Sequence, residues 1–214
     1  MNDALPAITG ITLSGIGKKF GKRHIFRNID LEITSGEKIA INGSNGSGKS
    51  TLLKIISGYL TPYEGSIRWT GKTGEIARED VAHHLTYAAP YLDLIDRFTL
   101  RENVDFFCRM KNLQSGLSPE LIIEYSGLQY ASEIPVQDLS SGMRQRLKLS
   151  LAFMADSGLL LLDEPLSNLD NKGYQWYANM AEKWLGNRMV VVCSNNVVQE
   201  TAFCSRFFNI ESGV

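Results

Sequence analysis

Gly43-Ser44-Asn45-Gly46-Ser47-Gly48-Lys49-Ser50-Thr51 fits the pattern G-x-x-x-x-G-K-[ST], and its flanks supply the setting that pattern requires. Upstream, Lys38-Ile39-Ala40-Ile41 reads as a buried strand. Downstream, Leu52-Leu53-Lys54-Ile55-Ile56 reads as a helix stopped by Gly58. A strand, turn and helix in this order aim successive backbone N–H groups at one point, at the positive end of the helix. The glycines let the backbone approach phosphate oxygens, Lys49 has the reach for β- and γ-phosphates, and the Ser50 hydroxyl suits a Mg2+ ion. Every residue from Gly43 to Thr51 is a candidate contact to ATP or GTP.

The rest of the composition narrows the setting. A chain of 214 residues holds one large domain, or a core with one inserted subdomain. With 43% hydrophobic and 21% charged residues it has the balance of an ordinary soluble globular protein. A net charge of −1 gives no reason to expect nucleic acid or lipid as a partner. No apolar stretch approaches the roughly 20 residues of a membrane span; Leu159 to Leu162 is short and two carboxylates follow it. Nothing after Met1 reads as a secretory signal. Cys108, Cys193 and Cys204 are odd in number and lack metal-site spacing, so the expectation is buried free thiols in a reducing cytosol.

Along the chain, the first third reads as β structure. Ile29, Leu31 and Ile33 alternate with Asp30 and Glu32, the period of a half-buried strand, with Ile8–Leu13 and Gly65–Trp69 as partners. Lys18, Lys19, Lys22 and Arg23 flank Gly21, a solvated turn or a basic turn useful beside a triphosphate. His83-His84 reads as part of a strand or its turn. The middle third is helical. Thr99 with Glu102 forms a capping box ahead of Leu100, Val104, Phe107 and Cys108 on one face. Ser118-Pro119 opens a second helix and Gly127 closes it. A third follows Ser140-Ser141-Gly142. The last third returns to α/β, with strands at Leu159–Leu162 and Met189–Val192 around a helix through Trp176 and Met180.

Leu159-Leu160-Leu161-Leu162-Asp163-Glu164-Pro165 is an apolar strand ending in two carboxylates. In phosphate-loop proteins an aspartate at such a strand end supports the Mg2+ that bridges the phosphates, which makes Asp163 a candidate metal residue beside Ser50. Glu164 is placed to accept a proton from an attacking water.

Between the loop and this strand, Leu139-Ser140-Ser141-Gly142-Met143-Arg144-Gln145-Arg146 resembles the Leu-Ser-Gly-Gly-Gln signature of ABC-type ATPases. Ser167-Asn168-Leu169-Asp170 resembles that family's D-loop, and Phe20 falls where the family places an aromatic that stacks on adenine. Leu60–Ile67 and Thr99–Asn103 are similar to the segments after its first helix and at the start of its helical subdomain. The resemblance covers nearly the whole chain in order. It implies a phosphate-loop NTPase of α/β class, with a RecA-like core, an antiparallel β subdomain and an inserted helical subdomain. Residues 1–214 would form one nucleotide-binding domain. Within it, 1–90 would be the β subdomain and first half of the core, 91–152 the helical subdomain, and 153–214 the second half.

The resemblance also implies how such a domain works. Two nucleotide-binding domains sandwich two ATP molecules, the loop of one chain facing the signature helix of the other. Ser140 and the Gly142 backbone would then contact the γ-phosphate across the interface, although Ser140 and Ser141 also read as plain helix caps. An identical copy is the preferred second domain. Two usual elements are replaced: Pro90 stands where the family has a glutamine, and Asn195 where it has a switch histidine. Proline offers no side-chain hydrogen bond, and asparagine can bond a phosphate oxygen but cannot titrate. With Lys49, Ser50, Asp163 and Glu164 all present, slow hydrolysis raised by a partner is the expectation.

The function implied is the ATP-hydrolysing subunit of a membrane transporter, peripheral on the inner face of the cell membrane, with ATP and Mg2+ as cofactors. It would drive a separate transmembrane subunit, and no nucleic acid is expected. The apolar run Tyr91, Leu92, Leu94, Ile95 and Phe98 reads either as packing under the helical subdomain or as a docking site. The alternative function is a soluble ABC-type ATP switch or assembly factor with little hydrolysis. A small-molecule kinase fits the first motif and leaves the others unexplained.

Overall fold

The computed structural model describes residues 8–90 and 94–210, so Tyr91 and Leu92 of the apolar run lie outside the described residues. The chain divides into two compact units, one of residues Met1–Tyr87, Ser157–Asp163 and Asn187–Val214, the other of Ala88–Asp156 and Glu164–Gly186.

The first unit holds two sheets. The antiparallel one runs in the order β2 (Arg23–Thr34), β1 (Ile8–Phe20), β4 (Glu64–Gly71), β5 (Gly74–Ile76). Of the partners expected for the Ile29–Ile33 strand, β1 pairs with it directly, Ile11 opposite Ile33 and Leu13 opposite Leu31, whereas β4 lies on the other edge of β1, with Ile11 opposite Trp69 and Leu13 opposite Ile67. The second sheet has the order β6 (Leu85–Ala88), β7 (Leu159–Asp163), β8 (Met189–Ser194), β3 (Lys38–Asn42), β9 (Arg206–Asn209). β7, β8, β3 and β9 pair in parallel, and β7 and β8 are buried at every position. Continuous apolar runs such as Leu159–Leu162 belong in strands of this kind, covered on both faces.

Helix α1 (Lys49–Ile56) buries Leu52, Leu53, Ile55 and Ile56 in the same core as Ile11, Leu13 and Ile33 of one sheet and Ile39, Ile41 and Val191 of the other. The Trp69 indole N–H donates to the Ile56 carbonyl at 2.8 Å, which satisfies one of the acceptors left over at the helix end. His83-His84 departs from expectation. It closes a short helix, α2 (Val81–His84), with Val81 and His84 buried, and the strand β6 begins only at Leu85.

The second unit is built on α3 (Leu100–Met110), α4 (Pro119–Ser126), α5 (Ser141–Met154) and α6 (Asn171–Trp184). The caps legible in sequence are all in place. Thr99 and Glu102 form the reciprocal capping box, Ser118 caps α4 with Pro119 in its first turn, and Gly127 ends it in the left-handed conformation. Packing between the helices is aromatic: Phe153 meets Tyr177 at 5.6 Å between rings, and the Arg146 guanidinium lies over Trp176 at 4.9 Å. The Gln114 amide ties the Phe153 and Trp184 carbonyls together at 2.6 and 3.1 Å. Cys108 and Cys204 are only partly buried, unlike Cys193, and none of the three is in a disulfide.

Candidate nucleotide site

The parallel sheet gathers the candidate residues of the first unit at one edge. In register, Asp163 of β7 lies beside Cys193 of β8, which lies beside Ile41 of β3. One step further, Ser194 pairs with Asn42, so Asp163, Asn195 and Gly43 all leave the carboxyl ends of neighbouring strands. Outside the carboxyl ends of parallel strands is where open α/β sheets bind ligands.

The loop 43–48 joins β3 to α1. Ser44, Asn45 and Gly46 are exposed, whereas Ser47 and Lys49 are buried. Gly48 has φ of 101°, and a Cβ there would lie 2.4 Å from Ile25 Cγ2 and 2.7 Å from Phe26 Cδ1, so strand β2 and the backbone conformation both demand glycine. Lys49 is 4% exposed and its ammonium meets three acceptors: the Gly43 carbonyl at 2.8 Å, the Ser44 carbonyl at 3.1 Å and Asn195 Oδ1 at 2.6 Å. An ammonium has three donors. Ser47 Oγ, in the same loop, and Asn42 Oδ1, at the end of β3, are buried with no hydrogen-bond partner among the described residues. A buried cation and the Ser47 hydroxyl, which has a proton to donate, at a helix N-terminus suit a polyanionic ligand, whereas Asn42 Oδ1 is an acceptor and adds nothing to that attraction.

Ser50 follows Lys49 in the first turn of α1, and Asp163 is 1% exposed. A hydroxyl and a carboxylate are hard oxygen donors that suit Mg2+, which keeps waters and takes its remaining ligands from substrate phosphates. Among the described residues no three or more His, Cys, Asp or Glu side chains group as a metal site of their own. Phe20 ends β1 opposite Arg23, 52% exposed, with the Lys18 ammonium 5.3 Å from its ring centre. The basic cluster at this turn is partly engaged, since Lys18 donates to the Thr61 carbonyl and Lys19 lies over the Tyr63 ring at 3.7 Å.

In the second unit, Ser140 caps α5, its hydroxyl accepting the Met143 N–H at 3.2 Å while the side chain stays exposed. Gly142 packs against the D-loop segment, and a Cβ there would lie 2.9 Å from the Asn168 carbonyl. Glu164 takes φ of 46° and Asn168 φ of 64°. Left-handed conformations are rare for glutamate, and strain of this sort concentrates at functional sites. Buried Gln145 donates to the Pro165 carbonyl at 2.9 Å, fixing the turn that follows Glu164. Lys148 of α5 donates to the Pro90 carbonyl at 2.7 Å, a contact that sequence reasoning missed because proline offers no side-chain signal.

Together these features define a phosphate-loop nucleotide-binding cassette. Residues 26–167 match the model of the family described as ABC transporter. The chain is 31% identical over 210 residues to the Nod factor export ATP-binding protein I of Sinorhizobium fredii (strain NBRC 101917 / NGR234), covering 95% of this chain and 60% of that protein. It is 31% identical over 173 residues to the cytochrome c biogenesis ATP-binding export protein CcmA of Nitrosococcus oceani, covering 81% and 79%. The fold matches the ATP-binding cassette MJ0796, solved as a dimer in a post-hydrolysis state bound to ADP and Pi, with a TM-score of 0.79 at 22% identity over 94% of both chains. The chain belongs to the ABC transporter family and is an ATP-binding protein of that family. No helix among the described residues is long and apolar enough to cross a membrane.

Proposed function

We propose that this chain is the ATP-hydrolysing subunit of an exporter, working as a homodimer on a separate transmembrane subunit at the inner face of the membrane. The observation that carries this reading is the buried Lys49 ammonium, held at the carboxyl edge of the parallel sheet between the phosphate loop and Asn195. The export direction follows the names of the relatives, and the cargo is left unassigned.

In this reading the loop residues Gly43 to Thr51 enclose the triphosphate, Lys49 neutralises its β- and γ-oxygens, and Phe20 stacks on adenine. Asp163 and Ser50 would hold Mg2+, which would supply positive charge beside the transferring phosphoryl group. Glu164 accepts the proton of the attacking water, a role worth about 10²–10⁴-fold in rate. The Ser140 hydroxyl proton, unused by its cap, and the Gly142 N–H act on the γ-phosphate held by the second copy. Pro90 offers no side-chain hydrogen bond and Asn195 does not titrate, so basal hydrolysis is slow and rises with the transmembrane subunit bound.

Docking falls to the helical subdomain, residues 91–152. Ile95 and Phe98 are each 37% exposed, Phe106 46% and Met110 68%. Phe98 and Phe106 stand edge to face at 6.3 Å, rimmed by Glu102, Asp105 and Arg109. The segment ahead of α3 is fixed rather than loose: buried Asn103 bonds the Ile95 N–H and carbonyl at 2.8 and 3.0 Å. An exposed aromatic patch with acidic neighbours suits a cytoplasmic loop of a membrane protein, since such loops are rich in lysine and arginine.

Isolation from membranes in mild detergent tests the reading. A polytopic membrane protein in comparable amount, with MgATP hydrolysis faster than that of the chain alone, is expected. Recovery as membrane-free protein, with the same rate in both fractions, would overturn it in favour of a soluble ATP switch.

A further inference from the structure

Asn195 reaches Lys49 from a turn that is itself held from behind. Ser194, the buried last residue of β8, donates from Oγ to Glu200 Oε2 at 2.5 Å and accepts the Val197 N–H at 3.0 Å. Glu200 belongs to the short helix α7 (Val198–Thr201), is 3% exposed, and donates its N–H to the Val197 carbonyl at 3.0 Å. Between Ser194 and Val197, Asn196 adopts φ of 63°, letting the chain turn while Asn195 Oδ1 meets the ammonium at 2.6 Å. A carboxylate is costly to bury, and here it stands behind the loop that bears on the nucleotide lysine.

We propose that Glu200 is a positioning residue for the nucleotide site. Through Ser194 it fixes the turn from which Asn195 holds the Lys49 ammonium ready for phosphate. The proposal rests on the nucleotide-site reading above and adds a residue to it. A lysine side chain has much rotamer freedom to lose, so holding it in advance removes that loss from the binding step. The neutral Asn195 amide gives the same hold across the physiological pH range.

Titration with a fluorescent ATP analogue, displaced by MgATP or MgADP, tests this on the full chain. Glu200→Ala should weaken both nucleotides about tenfold, the scale on which supporting residues act. Ser194→Ala, which removes the same link without emptying the Glu200 position, should do the same. Glu200→Gln, whose amide oxygen still accepts from Ser194, should bind like wild type. Asn195→Ala should weaken ADP as much as ATP, because it acts through a lysine that reaches both terminal phosphates. Adding Glu200→Ala to Asn195→Ala should lower melting temperature further but leave affinity unchanged. Wild-type affinity in Ser194→Ala and Glu200→Ala, tighter binding in either, or full additivity in the double variant would overturn the proposal. A wild-type chain that binds neither nucleotide would instead remove the site reading and this proposal with it.

Discussion

At the phosphate loop, Lys49 is buried and its donors meet oxygens of the chain itself, two from the loop and one from Asn195. At the tip of α5, Ser140 and Ser141 are exposed, and the cap uses the Ser140 oxygen but not its proton. The first region is assembled within one chain, from segments 146 residues apart in sequence. The second is a capped helix N-terminus at the surface, which the proposed function assigns to the γ-phosphate held by a second copy. Changes at the loop should therefore act on nucleotide binding by the single chain, and changes at the tip on association.

The largest effect is expected from Lys49→Ala. Losing the buried ammonium should cost MgATP binding about 2–5 kcal/mol, the usual result of truncating one side of a buried charge contact. Equilibrium titration of the monomer measures it, and near-normal affinity would break the contrast at its stronger end. Ser140→Ala probes the other end. Loss of the cap should destabilise α5 by about 1 kcal/mol, visible as a lower melting temperature. It should also remove ATP-driven association while the monomer still binds MgATP, and loss of monomer binding would erase the distinction between the regions.

The smallest effect concerns the far end of the parallel sheet. Burial alone would raise the Glu37 carboxyl, but hydrogen bonds from Arg206 at 2.8 Å and the Thr34 N–H at 3.0 Å outweigh it and hold the carboxyl below its ordinary value. A lowered folded-state value means the contribution is fully present above the unfolded carboxylate range and is lost as pH falls through the folded value. Because Arg206 is 46% exposed, the contribution should stay below about 1 kcal/mol. Glu37→Gln should thus flatten the acid limb of stability between about pH 5 and pH 3 and leave nucleotide affinity unchanged. A change in affinity would show that this remote pair reaches the loop.

Local chemistry made much of this molecule legible in its sequence. The phosphate loop, the Thr99–Glu102 capping box, the Ser118-Pro119 start and the apolar strand before Asp163 each rest on neighbours in the chain, and each stands where it was expected. Features set by distant segments were not legible. Nothing in the sequence singles out Glu200, which stands out only once the fold buries it against Ser194. Asn195 reads as a phosphate ligand, and its contact with Lys49 emerges only when β8 and β3 pair. The left-handed Glu164 leaves no mark in sequence, because composition does not report backbone strain at a single residue. Cys108 and Cys204 read as buried because cysteine usually is, but they lie part-way to the surface.

Light scattering on Glu164→Gln protein with saturating MgATP tests most directly whether the chain completes its site with a second copy. With proton acceptance removed and the phosphate loop intact, hydrolysis should fall while bound ATP persists. A dimer is expected with MgATP and a monomer with MgADP, the dimer disappearing when Ser140→Ala is added. A monomer at saturating MgATP, with nucleotide demonstrably bound, would contradict it.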